Sequence, residues 1–308
     1  MCAAVQNEFS SCEYEISHCE INTGFRYNHA MNTLPHDIPL GKSSEYPSAY
    51  DPGLLFPISR KQTREALGIT LTAPLPFVGW DQWTGYELSW LNRRGLPQVA
   101  LLVVEFPCDS PNIIESKSFK LYLNSLNQTR FEDQDHLAHT LNADLSAACG
   151  AAIKVTIIPA NRFANETIEE LDGIDLDAQD IDITVYHPDA SLLKSKDSAP
   201  VVHEVLRSRL LKSNCPVTNQ PDWACVQIAY RGQPIDHAAL LQYIVSFRMH
   251  SGFHEQCVER MYMDIMRTCK PDALSIYARY LRRGGLDINP WRATPGMPRP
   301  GMGRTARQ

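Results

Sequence analysis

The segment Ala224-Cys225-Val226-Gln227-Ile228-Ala229-Tyr230 is a run of apolar and β-branched residues, which predicts a buried β-strand. Two helical segments follow it, Asp236 to Met249 and His254 to Cys269, and the first begins with aspartate, a preferred helix N-cap residue. Ala273 to Tyr280 then predicts a closing strand. The order strand, helix, helix, strand predicts an α+β unit.

The first half of the chain shows the same order of elements. Gln98 to Phe106 predicts a buried strand, Ile114 to Phe131 and His136 to Ala148 predict two helices, and Ile153 to Ile158 predicts a strand. The two halves are not visibly similar in sequence, so the repeat depends on the order of elements alone. Two α+β units in tandem are the simplest interpretation.

The join between the two units is expected in the acidic segment Glu166 to Asp180. After it, Ile181 to Val185 predicts a strand and His203 to Lys212 predicts a short helix. We therefore expect an N-terminal half over residues 41–170 and a C-terminal half over residues 171–295.

Both ends of the chain are expected to lie outside these halves. Residues 1–40 are polar and lack periodicity, which predicts a disordered extension without a core of its own. Met31 lies inside it, so the native start is either Met1 or Met31. Residues 296–308 are expected to form a flexible tail.

Composition restricts the class of protein. The 308 residues are 44% hydrophobic and 21% charged, as in a soluble globular protein of about two domains. A net charge of -6 argues against direct nucleic-acid binding. No apolar run approaches the ~20 residues of a membrane span, and no signal peptide is visible. The nine cysteines form no Cys-x-x-Cys pair, which favours free thiols in a reducing cytoplasm.

The strongest chemical signal is a loop that carries a thiol and, seven residues later, a carboxylate. Cys215 and Asp222 lie in Asn-Cys-Pro-Val-Thr-Asn-Gln-Pro-Asp, where prolines and asparagines predict a loop. A thiol held at a cleft can act as a nucleophile, and a carboxyl group beside it can donate or accept the proton that moves. The alternative is an ordinary free cysteine in a turn.

Three other segments have both an ordinary and a functional interpretation. Ile114 to Tyr122 follows a strand and is either a plain helix start or a place where serine, lysine and backbone N–H groups hold phosphate. Phe253 to Glu259 is either a solvated helix face or part of a site. Arg282 to Pro290 is either a basic turn or a binding loop.

Taken together, these segments resemble the NADPH-dependent 7-cyano-7-deazaguanine reductases (the QueF family) of the long, two-module type. The resemblance extends from Gly41 to Arg292. The motifs that carry it are Glu-Ser-Lys-Ser-Phe-Lys-Leu-Tyr from Glu115, the Asn-Cys loop to Asp222, Phe-His-Glu-Gln-Cys from Phe253, Arg-Arg-Gly-Gly-Leu-Asp-Ile-Asn-Pro-Trp-Arg from Arg282, and Tyr86 to Asn92.

The resemblance implies a fold, a reaction and partners. The fold is a pair of tunnelling-fold (T-fold) halves, each an antiparallel sheet with two helices, in a homodimer. The reaction is reduction of the nitrile of 7-cyano-7-deazaguanine to the primary amine, a step toward tRNA queuosine that consumes two NADPH. No Gly-x-Gly-x-x-Gly follows a strand, so no dinucleotide-binding fold is expected.

The resemblance also implies the role of each site residue. Cys215 adds to the nitrile to give a covalent thioimide, and Asp222 donates a proton from a carboxyl group whose pKa burial should raise. The substrate is expected to contact Ile114, Glu115, Ser116, His254 and Glu255. NADPH is expected to contact Ser116, Lys117, Arg283 and Gly284, and no metal is expected.

Two alternatives remain open from the residues. The first is a zinc hydrolase of the same fold, with His250, His254 and Cys257 on one helix face. The second is a non-catalytic module that binds a nucleobase or tRNA. Cys257 is also expected to lie near Cys215, where a disulfide would form if their Cα atoms come within ~7 Å.

Overall fold

The computed structural model describes residues 46–70, 73–196 and 198–308. The extension expected over residues 1–40, and with it the choice between Met1 and Met31, lies outside the described residues. The description below therefore concerns the body of the chain. No helix within the described ranges is long and apolar enough to span a membrane.

Eight strands form one continuous sheet, and two short strands form a second. The short pair is β1 (Pro57–Ser59) and β4 (Asn112–Ile114). The large sheet has the order β5-β3-β2-β10-β9-β8-β7-β6, antiparallel except for β6 with β7. Its strands are β2 (Val78–Leu91), β3 (Pro97–Pro107), β5 (Lys154–Pro159), β6 (Ile174–Asp175), β7 (Val202–Asn214), β8 (Pro221–Gly232), β9 (Ala273–Tyr280) and β10 (Leu286–Ala293).

The helices follow the order that the sequence predicts. A short α1 is followed by two helices in the first half and two in the second, and capping carboxylates begin three of the later ones. They are α1 (Lys61–Ala66), α2 (Ser116–Ser125), α3 (Gln134–Cys149), α4 (His237–Ser246) and α5 (His254–Thr268). The mixed α+β class is confirmed.

Two predicted elements near the middle of the chain are wrong. His203 to Lys212 is not a helix but lies within strand β7, which pairs along its length with β8. A register shift between Ser208 and Leu211 interrupts the alternation of polar and apolar residues, so the period of two is hidden in the sequence. Ile181 to Val185 forms no strand among the described residues, because strand β6 occupies the edge of β7.

Strand β10 joins the two halves and was not predicted. It pairs with β2 from Leu286 opposite Gly85 to Ala293 opposite Val78, and with β9 only near Trp291. Pro290 argues against a central strand because proline has no N–H to donate. The β9–β10 pairing, however, stops beside this proline, and the Asn289 side chain accepts a hydrogen bond from the backbone of β9 instead.

Two apolar cores support the sheet, one in each half. The first packs α2 and α3 against β2, β3 and β5, with Phe119, Leu137 and Leu102 at its centre. The second packs α4 and α5 against β7, β8 and β9, with Val258 and Ile276 among its buried residues. The apolar face of each amphipathic helix is buried against the sheet in this way.

A buried ion cluster connects four elements where the cores meet. Arg60 and Arg292 contact the Asp81 carboxylate at 2.5 and 2.7 Å. Arg64 and Arg292 contact the Glu259 carboxylate at 2.7 and 2.9 Å. Because both acids have two cationic partners, the cluster fixes α5 against β2, β10 and the start of α1.

The segment expected to be a flexible tail is packed instead. Thr305 and Gln308 are buried, and the Gln308 side chain hydrogen-bonds to strands β9 and β10. The polar composition of residues 296–308 concealed this, because the buried residues are satisfied by hydrogen bonds rather than by apolar contacts.

Candidate active site

One pocket brings most of the predicted site residues together. Its empty volume is about 580 Å³ when the open mouth is included. The predicted residues on its wall are Ile114, Ser116, Cys215, Asp222, His254, Glu255 and Arg283. Glu115, Lys117 and Gly284 are not among its lining residues.

Cys215 follows the last residue of β7 and begins a tight connection to β8. Its N–H donates to the carbonyl of Gln220 at 2.9 Å, and its carbonyl accepts from the N–H of Asn219 at 3.0 Å. Asn219 has a φ of 55°, a left-handed conformation that asparagine tolerates better than most residues. The side chain is only 6% exposed, so the turn holds the thiol at the pocket wall.

Asp222 lies one residue into β8 and has two basic partners. Arg283 Nη1 donates to Oδ1 at 2.5 Å, and His254 Nε2 lies 3.3 Å from Oδ2. Burial raises the pKa of the carboxyl, but the hydrogen bond and charge of His254 and the charge of Arg283 outweigh it. The net direction is below the ordinary value. The expected rise in the Asp222 pKa is therefore wrong for the protein without bound ligand.

His254 is held by stacking as well as by Asp222. Its ring lies parallel to that of Tyr280, with centroids 3.7 Å apart and planes at 4°. The imidazole edge therefore points at Asp222 while Nδ1 has no hydrogen-bond partner among the described residues. This leaves one ring nitrogen for a ligand.

Glu255 has one buried carboxylate oxygen without a hydrogen-bond partner among the described residues. It is 3% exposed, and Oε1 has no hydrogen-bond partner within the described part of the chain. Burial, and then the charge of Asp81, raises the pKa of this carboxyl above its ordinary value. A buried acceptor without a partner is costly, so this oxygen is suited to N–H groups of a bound ligand.

Glu115 has a different place from the one expected. Its carboxylate caps helix α2, accepting from the N–H groups of Lys117 and Ser118 at 2.8 and 2.7 Å. Each carboxylate oxygen accepts one bond in the cap, and contact of Glu115 with substrate stays a prediction. The same cap occupies two of the N–H groups that the sequence offered to phosphate.

Lys120 was missed by sequence reasoning although it lies in a motif that we singled out. It lines the pocket one helical turn after Ser116, a spacing that places both on one face of α2. Burial, and then the nearby Arg283, lowers the pKa of its ammonium. Gly284 has a φ of 60°, and a Cβ there would lie 3.4 Å from Lys120.

The apolar wall was also missed. Trp83 comes from β2, which was not predicted, and Phe253 precedes α5 within a motif that was read only for its polar residues. The remaining members are Ile113, Pro216, Gly252, Leu281, Leu286 and Ile288. Flat apolar walls around a few polar groups are typical of small-molecule pockets.

The zinc alternative finds little support in this geometry, because His250 lies before α5 and does not share its helix face with His254 and Cys257. Cys257 is fully buried, and burial raises the pKa of its thiol to about 12. It is one of six described cysteines, all free. Among residues 46–70, 73–196 and 198–308, no three histidine, cysteine or acidic side chains are grouped to hold a metal ion.

Comparison with known proteins gives two family matches. The family described as "Nitrile reductase, 7-cyano-7-deazaguanine-reductase N-term" matches residues 46–157, and that described as "QueF-like protein" matches residues 221–297. The second match contains Asp222, His254, Glu255 and Arg283, and the first contains the Glu115 motif.

Two curated relatives match nearly the whole chain. The NADPH-dependent 7-cyano-7-deazaguanine reductase of Paraburkholderia xenovorans is 56% identical over 274 residues, 89% of this chain and 99% of that protein. The same-named protein of Burkholderia orbicola is 57% identical over 277 residues, with the same coverage. The solved apo archaeosine synthase QueF-Like aligns over 33% of this chain and 100% of its own, at 16% identity and a TM-score of 0.28.

Proposed function

The chain belongs to the family of NADPH-dependent 7-cyano-7-deazaguanine reductases, and we propose that it catalyses the reaction for which its relatives are named. The nitrile is reduced to an aminomethyl group, with two NADPH consumed in succession as co-substrate. The observation that carries this proposal is a thiol, a paired carboxylate, and a second carboxylate whose Oε1 has no partner among the described residues, all on the wall of one pocket.

The thiol of Cys215 adds to the nitrile carbon. With Asp222 ionised by Arg283 and His254, the carboxylate first accepts the thiol proton. The thiolate then forms the C–S bond, and the proton passes from Asp222 to the nitrile nitrogen, which gives a neutral thioimide. Asp222 thus ends this step ionised, as it began.

Glu255 is proposed to recognise the base. A guanine-like ring presents an amino group and a ring N–H side by side, and a carboxylate accepts both. Glu255 Oε1 has no hydrogen-bond donor among the residues that the structure describes, which supports this assignment. The flat ring would lie against the apolar wall that includes Trp83 and Phe253.

NADPH, when bound, supplies hydride to the carbon attached to Cys215. The residues present fit a phosphate-bearing ligand, because Lys120 and Arg283 line the pocket and Ser116 offers a hydroxyl. Lys117 and Gly284 lie beside these in the chain and complete the proposed cofactor contacts. The proposed phosphate contacts are side chains, since Glu115 caps two N–H groups of α2.

The architecture fits two T-fold halves joined edge to edge. Residues 41–170 and 171–295 each contain an apolar core with two helices, and β10 pairs with β2 between them. We propose this division, and a homodimer in the cytoplasm, as the organisation of the working enzyme.

The test is NADPH oxidation with 7-cyano-7-deazaguanine, with NADPH and amine both quantified. We expect two NADPH to be consumed per amine formed. Cys215→Ala should neither oxidise NADPH nor form the amine. Nitrile binding without NADPH oxidation by the wild-type chain would instead indicate a nucleobase-binding module. Loss of activity on chelation, restored by zinc, would indicate the hydrolase.

A further inference from the structure

We propose that Gln308 is a positioning residue, whose side-chain amide ties strand β9 to strand β10 and so holds the turn that carries Arg283. The turn spans residues 281–285 and connects the two strands. For its kinetic test this inference rests on the proposed function, because Arg283 contacts Asp222 and is assigned to NADPH.

The amide of Gln308 uses all of its hydrogen-bonding capacity. Oε1 accepts from Arg279 Nε at 2.6 Å and from the N–H of Thr305 at 2.9 Å. Nε2 donates to the carbonyl of Tyr280 at 2.9 Å and to Oδ1 of Asn289 at 2.7 Å. A primary amide offers two acceptor and two donor positions, and each is filled here.

These partners are the residues on either side of the Arg283 turn. Tyr280 is the last residue of β9, and Asn289 lies in β10 on the opposite side of the turn. Backbone pairing between the two strands is limited to the far end, from Trp291 to Ala293. Near the turn, the side chains of Asn289 and Gln308 take the place of the missing backbone hydrogen bonds.

A chain of hydrogen bonds continues from Gln308 toward the pocket mouth. Asn289 Nδ2 donates to Asp287 at 2.6 Å, and Asp287 accepts from the hydroxyl of Tyr86 at 2.6 Å. The guanidinium of Arg282 lies over the Tyr86 ring at 4.4 Å. The network therefore reaches Arg282, the residue before Arg283.

Burial makes this network costly to disturb. Asn289 and Tyr280 are fully buried, and Gln308 is 8% exposed. Loss of the Gln308 amide leaves Arg279 Nε and the Tyr280 carbonyl without these partners in a place that water reaches poorly. Between β9 and β10 near the turn, the hydrogen bond from the Tyr280 N–H to Asn289 Oδ1 at 3.2 Å then remains without the second link through Gln308, and the turn becomes more mobile.

The backbone of the turn is also flexible, so neighbouring contacts are needed to hold it in one conformation. Gly284 and Gly285 both have positive φ, at 60° and 77°, and the Arg283 and Leu286 backbones bond to each other across the turn. Adjacent glycines give the turn many accessible conformations. The two ends of the turn must therefore be held in place if Arg283 is to contact both Asp222 and a cofactor in one orientation.

Gln308→Glu is the sharpest variant. Glutamate keeps the size and the acceptor for Arg279 but replaces the donor with an oxygen that faces the Tyr280 carbonyl and Asn289 Oδ1. Gln308→Ala removes these four bonds and the longer one from the Thr305 hydroxyl at 3.5 Å. The matched control is Arg307→Ala, which removes a neighbouring hydrogen bond of the same segment, to the Arg209 carbonyl at 2.8 Å, and does not touch the turn.

Two measurements separate positioning from general stability. In Gln308→Glu and Gln308→Ala the KM for NADPH should rise about fivefold to tenfold, the scale of a lost hydrogen bond, while the Kd of the nitrile changes less than about twofold. By hydrogen–deuterium exchange, amides of residues 281–286 should exchange faster in both variants. In Arg307→Ala both quantities should stay at the wild-type values.

Unchanged exchange at residues 281–286 in both Gln308 variants would overturn the proposal, and so would equal effects in Arg307→Ala. The exchange measurement needs no substrate. If the wild-type chain fails to oxidise NADPH with the nitrile, the proposed function fails, while the exchange result still decides the role of Gln308.

Discussion

Arg283 Nη1 lies 2.5 Å from Oδ1 of Asp222, and this ion pair acts with His254 to keep the carboxyl beside Cys215 ionised. The contact crosses from the turn after β9 to the start of β8. Because the pKa of Asp222 lies below its ordinary value, the carboxyl is a base at neutral pH before it can be an acid. His254 and Arg283 together extend to lower pH the range in which Asp222 can accept the thiol proton.

Arg283→Gln should slow the formation of the Cys215 adduct at acidic pH. Removing the cation raises the pKa of Asp222, so the carboxyl becomes protonated at a higher pH and can no longer accept the thiol proton. Measured without NADPH, the acid limb of the rate should move to higher pH. Arg231→Gln, whose exposed side chain pairs with Asp272, is the control. Faster addition in Arg283→Gln would mean that Asp222 acts as a proton donor from the outset.

The covalent intermediate should form on Cys215 without NADPH. Intact-protein mass spectrometry should find one whole substrate mass added per chain, because addition to a nitrile has no leaving group. Cys215→Ala should bind the nitrile but gain no mass, and Asp222→Asn should react slowly because an amide neither accepts nor donates this proton. An adduct on Cys225 or Cys257 would contradict the assignment of the nucleophile.

Nitrile affinity should increase with pH through the raised pKa of Glu255. The ionised carboxylate accepts hydrogen bonds from both donors of the base. This ionised form is lost as the pH falls through the raised pKa of Glu255. Glu255→Gln should weaken binding by about 1–3 kcal/mol and abolish the pH dependence. Calorimetry across pH measures both, with the exposed Glu132→Gln as control. Equal affinity in wild type and Glu255→Gln would move the anchor elsewhere.

Glu259→Gln should destabilise the fold far more than Glu65→Gln. Breaking the buried pair leaves Arg64 without its counter-charge and Arg292 with Asp81 alone, at about 3–5 kcal/mol, whereas the exposed Lys61–Glu65 pair contributes about 0–1 kcal/mol. Burial raises the pKa of Glu259, but Arg292, Arg64 and Arg60 lower it on balance. Its contribution is therefore present above the ordinary glutamate pKa and lost as pH falls through the lowered value. Denaturant unfolding at neutral and acidic pH measures both effects.

Mild peroxide should link Cys215 to Cys257. Peroxide oxidises the Cys215 thiol to a sulfenic acid, and the Cys257 thiolate then displaces water to give the disulfide. Because burial raises the pKa of Cys257 to about 12, the second step should be slow and should accelerate as pH rises. Peptide mapping over a pH series tests this. Disulfides found only between other cysteines would contradict this prediction.

Local sequence patterns were sufficient for the elements whose partners lie nearby. Strands β3, β8 and β9 are apolar on their own, and α5 has a strong apolar stripe, so each was predicted close to its final bounds. The motifs around Cys215 and His254 were visible because thiol, imidazole and carboxylate groups are few and their spacing is distinctive. This is why the family resemblance was evident from residues alone.

Only the tertiary structure decided how the halves join and how the site is charged. Pro290 concealed strand β10, because proline has no N–H to donate and so argues against a central strand. Pairing with β2 compensates for the missing donor, and β10 brings Arg283 and Trp83 into one pocket. The protonation of Asp222 depends on Arg283 and His254, which are 61 and 32 positions away. Charge, burial and hydrogen bonding depend on distance in space, and a sequence fixes them only after the chain has folded.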